Sequence, residues 1–355
     1  MIAAMYRLAT LLALAFPLLA QLPPGTSRMQ FPDRDAMTDA SFFAATADGT
    51  LWAASILDDD LERIRPAEGT ESFTLPWHGT RAMTAGPDGA LWAGGGGWVA
   101  RVDPATAAVR RWPIGTHAVA EHMLAGPDGN LWFLQGSSVV RMRPDGKLLS
   151  SYGAVRATSA AFGTDGALYL AATGKLVRLT AGGEQAAFPA LLQDQLFAGP
   201  GFFWNAPPRT FQPRAQAVTE IVKLSYDGET LAAYRLPMTP FASDSLGNLW
   251  LRGTTEDGDV VGQLSPFGVL TRFGPLPALP TNDCFPPHYG GMAFLPDGRV
   301  AMSDYYLPIL TLGHPCRLTP KPDTFRNTVT ILDPRIAPVL SVQPLSPTRR
   351  RTVRR

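Results

Sequence analysis

The phrase Ala85-Gly86-Pro87-Asp88-Gly89-Ala90-Leu91-Trp92 returns as Ala125-Gly126-Pro127-Asp128-Gly129-Asn130-Leu131-Trp132, and more loosely as Phe162-Gly163-Thr164-Asp165-Gly166-Ala167-Leu168-Tyr169. Related fragments are Asp48-Gly49-Thr50-Leu51-Trp52, Gly201-Phe202-Phe203-Trp204, Gly247-Asn248-Leu249-Trp250 and Asp297-Gly298-Arg299-Val300. The marker glycines 49, 89, 129, 166, 201, 247 and 298 are separated by 40, 40, 37, 35, 46 and 51 residues. A period of this length confines the chain to a repeat array, in which each unit buries its apolar surface against its neighbours.

Each unit reads as four short strands. In the second, Ala82-Met83-Thr84-Ala85 precedes the Pro87-Asp88-Gly89 turn, and residues 90–93, 98–102 and 108–112 follow as further strands. Asp-Gly supplies the positive φ of a tight hairpin, and Pro presets the turn. The third strand recurs as Leu61-Glu62-Arg63-Ile64, Val99-Ala100-Arg101-Val102, Val139-Val140-Arg141-Met142 and Leu176-Val177-Arg178-Leu179, with the period of two that marks strands. Four-stranded units of about forty residues are propeller blades. The fold expected is all-β: a seven-bladed β-propeller with Trp52, Trp92, Trp132, Trp204 and Trp250 in the interblade core. Its 34 Gly and 33 Pro suit a chain of strands and turns. The segment Arg28-Met29-Gln30-Phe31-Pro32 resembles the fourth strand Arg110-Arg111-Trp112-Pro113, so an N-terminal strand is expected to complete the last blade. The alternative closing strand is Thr328-Val329-Thr330-Ile331-Leu332.

The ends differ from the middle. Residues 1–20 read as a signal peptide: Arg7 leads an apolar run over 8–19, too short to span a membrane, and Leu18-Leu19-Ala20 offers a cleavage site. The mature chain is thus expected to be exported, periplasmic or extracellular, without a transmembrane segment. Export permits a disulfide between the only two cysteines, Cys284 and Cys316. The propeller is assigned to residues 21–333. Residues 334–355, which end in five arginines after position 348, are expected to form a disordered tail. A net charge of +1 gives no reason to expect nucleic acid as a partner, and a monomer is expected.

Antiparallel connectivity sorts the loops onto two sides. Asp-Gly turns crowd one side. The connections from second to third strand and from blade to blade share the other, where they are long and individual. Binding concentrates on such loops. All five histidines, His78, His117, His122, His288 and His314, fall there. So do Glu121, Asp283, Asp304, Tyr289, Tyr305, Asp58-Asp59-Asp60 and Glu256-Asp257-Gly258-Asp259. A small-molecule or protein ligand is expected on this looped face, contacted by His78, His117, Glu121, His122, Gln135, Tyr289 and Tyr305.

The phrase Ala125-Gly126-Pro127-Asp128-Gly129-Asn130-Leu131-Trp132-Phe133, followed by Val139-Val140-Arg141-Met142-Arg143-Pro144-Asp145-Gly146, resembles the repeat of the virginiamycin B lyase (streptogramin lyase) family, well over residues 41–183 and loosely to 298. The resemblance implies a seven-bladed propeller. It also implies a carbon–oxygen lyase that opens a cyclic depsipeptide by elimination at its ester. In that family a histidine at the start of a first strand is the base. A glutamate fourteen residues later helps to hold Mg²⁺, and another glutamate stands two residues before the histidine. A hairpin turning midway brings such a pair together at the channel mouth, and the metal stabilises the developing enolate charge. Counting from the Asp-Gly turns, the third blade has Glu121 and Gln135 at these places. The last has Gly290 and Asp304, with His288 two residues before Gly290. No blade carries the full set. The leading expectation is therefore a propeller that binds a ligand or partner. One alternative is a metal-assisted lyase with His288 as base and Asp283 and Asp304 near Mg²⁺. Another is a lactonase-like hydrolase using Ca²⁺.

Overall fold

The computed structural model describes residues 22–30, 42–56, 58–115, 120–153, 156–208, 218–256, 258–279, 287–306 and 327–348. They form seven antiparallel blades. Strand β1 (Thr26–Gln30) comes first in the chain. Blade one is β2 (Phe42–Ala45), β3 (Leu51–Ala54), β4 (Asp60–Arg65) and β5 (Gly69–Thr74). Blade two is β6 (Ala82–Ala85), β7 (Leu91–Gly95), β8 (Trp98–Val102) and β9 (Val109–Pro113); blade three is β10 (Glu121–Ala125), β11 (Leu131–Gln135), β12 (Ser138–Met142) and β13 (Leu148–Tyr152). Blade four is β14 (Ala157–Phe162), β15 (Leu168–Ala172), β16 (Lys175–Leu179) and β17 (Gln185–Pro189); blade five is β18 (Gln195–Gly199), β19 (Phe202–Ala206), β20 (Thr219–Ser225) and β21 (Thr230–Leu236). Blade six contains β22 (Thr239–Ser243), β23 (Leu249–Thr255), β24 (Gly258–Leu264) and β25 (Val269–Phe273), and blade seven β26 (Pro287–Phe294), β27 (Val300–Tyr306) and β28 (Thr328–Leu332). The last strand is β29 (Val339–Pro344).

The first strand of each blade packs against those of its neighbours, and β2 meets both β6 and β26, so the ring is closed. Seven apolar clusters each join two successive blades. Trp52, Trp92, Trp132, Trp204 and Trp250 lie in them, none more than 3% exposed. Their burial is interblade core, as the repeat implied.

The Asp of the Asp-Gly turn does more than turn the chain. Asp88 accepts a hydrogen bond from the Trp92 indole (3.0 Å) and pairs with Arg101 on the third strand. Asp128 holds Trp132 (3.1 Å) and Arg141 (2.7 Å) in the same way, and Asp165 holds the Tyr169 hydroxyl (3.1 Å) and Arg178 (2.9 Å). Burial alone would raise the Asp88, Asp128 and Asp165 pKa values, but these donors outweigh it and hold all three below the ordinary carboxylate range. Burial, then the Asp165 carboxylate, pushes the Tyr169 phenol up to about 12.

Blade seven runs β1-β28-β27-β26, so the N-terminal strand does close the ring. Thr328–Leu332, the alternative closing strand, is instead the third strand, and β1 pairs on its free edge with Met29 opposite Val329. Arg28 ties this seam to the preceding connection by donating to the Pro277 and Ala278 carbonyls.

The segment expected to be disordered begins with structure. After a turn at 333–337, β29 pairs antiparallel with β25 and gives blade six a fifth strand. Leu340, Ser341, Val342 and Gln343 alternate apolar and polar, a strand pattern that the nearby arginines obscured. Leu345 then donates to the Gly268 carbonyl, and Thr348 to that of Ala233 in blade five.

Candidate functional site at the looped mouth of the channel

The first strands of blades three, four, six and seven each carry a bulge toward their looped end. In β10, Glu121 opposes Leu134 but Leu124 opposes Trp132, so His122 and Met123 together face Phe133. Shifts of the same size occur near Thr158 in β14, Phe241 in β22 and Gly290-Gly291 in β26. Bulges re-aim side chains and gather at barrel rims and sites. His122 has a φ of 43°, left-handed for a residue with a Cβ. Ala107 is the other such residue among those described, and it sits in a turn closed by its own N–H to Asp103 (2.8 Å). His122 stands instead within a strand at the channel mouth, exposed beside exposed Glu121.

In blade seven the bulge places two glycines opposite Ser303, whose hydroxyl accepts the Gly291 N–H at 2.7 Å. A Cβ on Gly291 would lie 2.2 Å from that of Phe43, so blade one approaches too closely for any other residue. The bulge also displaces the count from the Asp-Gly turn. Tyr289, not Gly290, opposes Asp304, and His288 opposes Tyr305.

Directly paired residues share a face and sequential residues alternate. His288 and Asp304 therefore project from opposite faces of blade seven. The His288 ring, 7% exposed, stacks on Tyr305 at 5.3 Å, and Tyr305 belongs to the cluster shared with blade one. Asp304 faces blade six and pairs with Arg252 at 2.8 Å, both side chains 1% exposed. Arg252 also donates to the Ser303 carbonyl (3.1 Å) and lies 4.1 Å over the Tyr289 ring. The Tyr289 hydroxyl reaches Thr254 (3.1 Å) and Asp259 (3.4 Å). Blades six and seven are thus stitched by a polar cluster leading from the buried ion pair to the half-buried Tyr289.

Of the other expected contacts, His78 is exposed in the connection between β5 and β6. Gln135 is half-buried at the end of β11 and donates to the Ile114 carbonyl (3.0 Å), on a groove of about 280 Å³ that also touches Leu148 and Ser151. It does not meet Glu121, whose strand partner is Leu134. His117, Asp283, Cys284, His314 and Cys316 lie outside the described residues. Exposed Arg81, Arg156 and Asp194, just ahead of three first strands, add charge of both signs to the rim.

The Mg²⁺ implied by the lyase resemblance does not fit these donors. Among the described residues no three His, Cys, Asp or Glu side chains converge. Asp304 already faces a guanidinium cation, which a metal ion would have to displace. Sequence reading missed Arg252. Its signal was present: two places after the blade tryptophan or tyrosine, other blades carry Ala54, Gly94, Leu134, Ala171 and Ala206, and only blade six carries a charge.

No protein-family model matches the chain, and no curated protein matches it. Solved structures do. A streptogramin B lyase structure matches with a TM-score of 0.61 at 15% identity, over 87% of this chain and 98% of that one. A catalytically inactive histidine-to-alanine variant of virginiamycin B lyase from Staphylococcus aureus, with quinupristin, matches at 0.60 and 14%, over 87% and 100%. The WD40 propeller domain of Doa1 matches at 0.55 and 11%, over 88% and 97%. Likeness at such identities speaks to fold alone, and on that ground the chain is a β-propeller like virginiamycin B lyase.

Proposed function

We infer that this chain is an exported binding module. It holds a small molecule or a protein segment at the looped mouth of its channel and catalyses no elimination. The observation that carries the reading is His122, which keeps a left-handed backbone on a bulged strand and is exposed at the rim. Such a conformation costs about 1–3 kcal/mol, and residues kept in it cluster at ligand sites. Glu121 beside it, Tyr289 across the mouth and the charged rim residues supply polar contacts. The lyase reading lacks support from geometry, because His288 and Asp304 face different interblade spaces. Export rests on residues 1–20 and is tested by the mass of the secreted chain, expected to begin after Ala20.

The test of the binding reading is a thermal-shift screen of small molecules and peptides against the full chain. Hits should lose their stabilisation in Glu121→Ala and His122→Ala and keep it in Phe267→Ser on the Asp-Gly side. Hits insensitive to the rim variants would count against this reading. Incubation with quinupristin should yield no ring-opened product.

A further inference from the structure

Blade six alone ends in a fifth strand, and its outer edge is open among the described residues. The residues Val339-Leu340-Ser341-Val342-Gln343-Pro344 carry no charge, and Val339, Leu340 and Val342 are 53%, 44% and 62% exposed. Edge strands are normally guarded by charge, proline or cover, because their unpaired N–H and C=O groups accept another strand. Outer strands elsewhere carry Glu71, Arg110 and Arg111, Arg235 and Arg28, while the uncharged β13 and β17 directly follow Lys147 and Glu184.

We propose that β29 is a homodimerisation edge, paired antiparallel with β29 of a second copy about a two-fold axis through Ser341. The sequence is self-complementary in that register. Pro338 and Pro344, which have no N–H to give, stand three residues to either side of Ser341 and bracket the pairing. Within the bracket, Val339 meets the copy's Gln343, Leu340 meets its Val342, and Ser341 meets its own equivalent. Leu340 and Val342 share a face, so the two copies bring four aliphatic side chains together on one side of the sheet. Within the paired segment no like charges meet. The nearest charge is Arg272, the cross-strand partner of Ser341 on β25. Across the axis the two Arg272 strands stand three strand spacings apart, about 14 Å, beyond the Debye length at physiological salt. The result is one sheet running from β22 of one copy to β22 of the other. A basic peptide would find no counter-charge on this edge, and the symmetric placing of Pro338 and Pro344 about Ser341 matches a second copy as occupant.

Six residues a side bury on the order of 300 Å², well under the roughly 800 Å² per partner of a standard stable interface. The dimer is therefore weak and must be sought at high protein concentration. Sedimentation equilibrium of the full chain from about 10 to about 500 µM should show mass rising toward the dimer. Leu340→Lys with Val342→Lys should raise the dissociation constant at least about tenfold, since like charges then oppose across the axis. In case that variant misfolds, Ser341→Cys gives an independent reading. Cα atoms directly opposite in an antiparallel pair lie within disulfide reach, so mild oxidation should link Ser341→Cys several-fold faster than Ser151→Cys on β13. The proposal is overturned if the wild-type chain stays monomeric throughout, if the double lysine variant dimerises as well as wild type, or if Ser341→Cys links no faster than Ser151→Cys. A monomer whose edge is taken by a strand from a different protein is among the overturning outcomes.

Discussion

Asp304→Asn removes the charge from one end of the ion pair between blades six and seven and leaves the Arg252 guanidinium buried. Both side chains are 1% exposed and 2.8 Å apart. At an effective dielectric of about 20, the attraction at that separation is about 6 kcal/mol, against which the desolvation of both ions must be set. What an experiment reads is the cost of stranding the cation, about 3–5 kcal/mol. The Ser303 carbonyl and the Tyr289 ring still receive Arg252, which places the expectation toward the lower end. Urea unfolding followed by tryptophan fluorescence measures it. Trp250 sits in the same interblade cluster, so the signal reports the affected seam. The double variant Asp304→Leu, Arg252→Met should recover most of the loss, because an apolar pair of similar volume leaves no buried charge. A cost for Asp304→Asn below about 1 kcal/mol, or a double variant as unstable as the sum of the singles, would refute a stitching role for the pair.

Further outcomes follow from the same contacts. Trp132→Ala should cost about 3–5 kcal/mol by emptying the cluster between blades three and four, measured by the same unfolding assay. The depressed pKa values of Asp88, Asp128 and Asp165 stabilise the fold above the unfolded aspartate value of about 3.9. That contribution is lost as pH falls through their lower folded values, so acid titrations of the wild type should show a steeper fall below about pH 4 than those of a triple Asp→Asn variant. His122→Val should destabilise by about 1–2 kcal/mol because a β-branched residue tolerates the left-handed backbone poorly, whereas His122→Gly should be as stable as wild type.

The repeat made the ring legible because its parts are local. An Asp-Gly turn, an apolar strand and a tryptophan four residues on each carry their meaning within a few positions, and the first three blades carry all three while the other four keep the glycine and part of the rest. The N-terminal closing strand was legible for the same reason, since Arg28 to Gln30 echo a fourth strand. The mouth was less so. A bulge adds one residue without any composition signal, and it moved Tyr289 into the place counted for Gly290 and sent His288 and Asp304 to different faces. Arg252 lay in plain sight at a position where its counterparts are apolar, but its meaning depends on Asp304, a partner 52 residues away (304 − 252) on the next blade. The strand β29 was hidden by the arginines that follow it.

His288 and Asp304, the two residues best placed by sequence for a lyase, serve different interblade joints. A crystal structure of the chain grown with excess Mg²⁺ tests it most directly. The expected result is Asp304 on Arg252 between blades six and seven, and His288 stacked on Tyr305 toward blade one, with no ion between them. An imidazole and a carboxylate from these residues converging on one Mg²⁺ in the channel would contradict it.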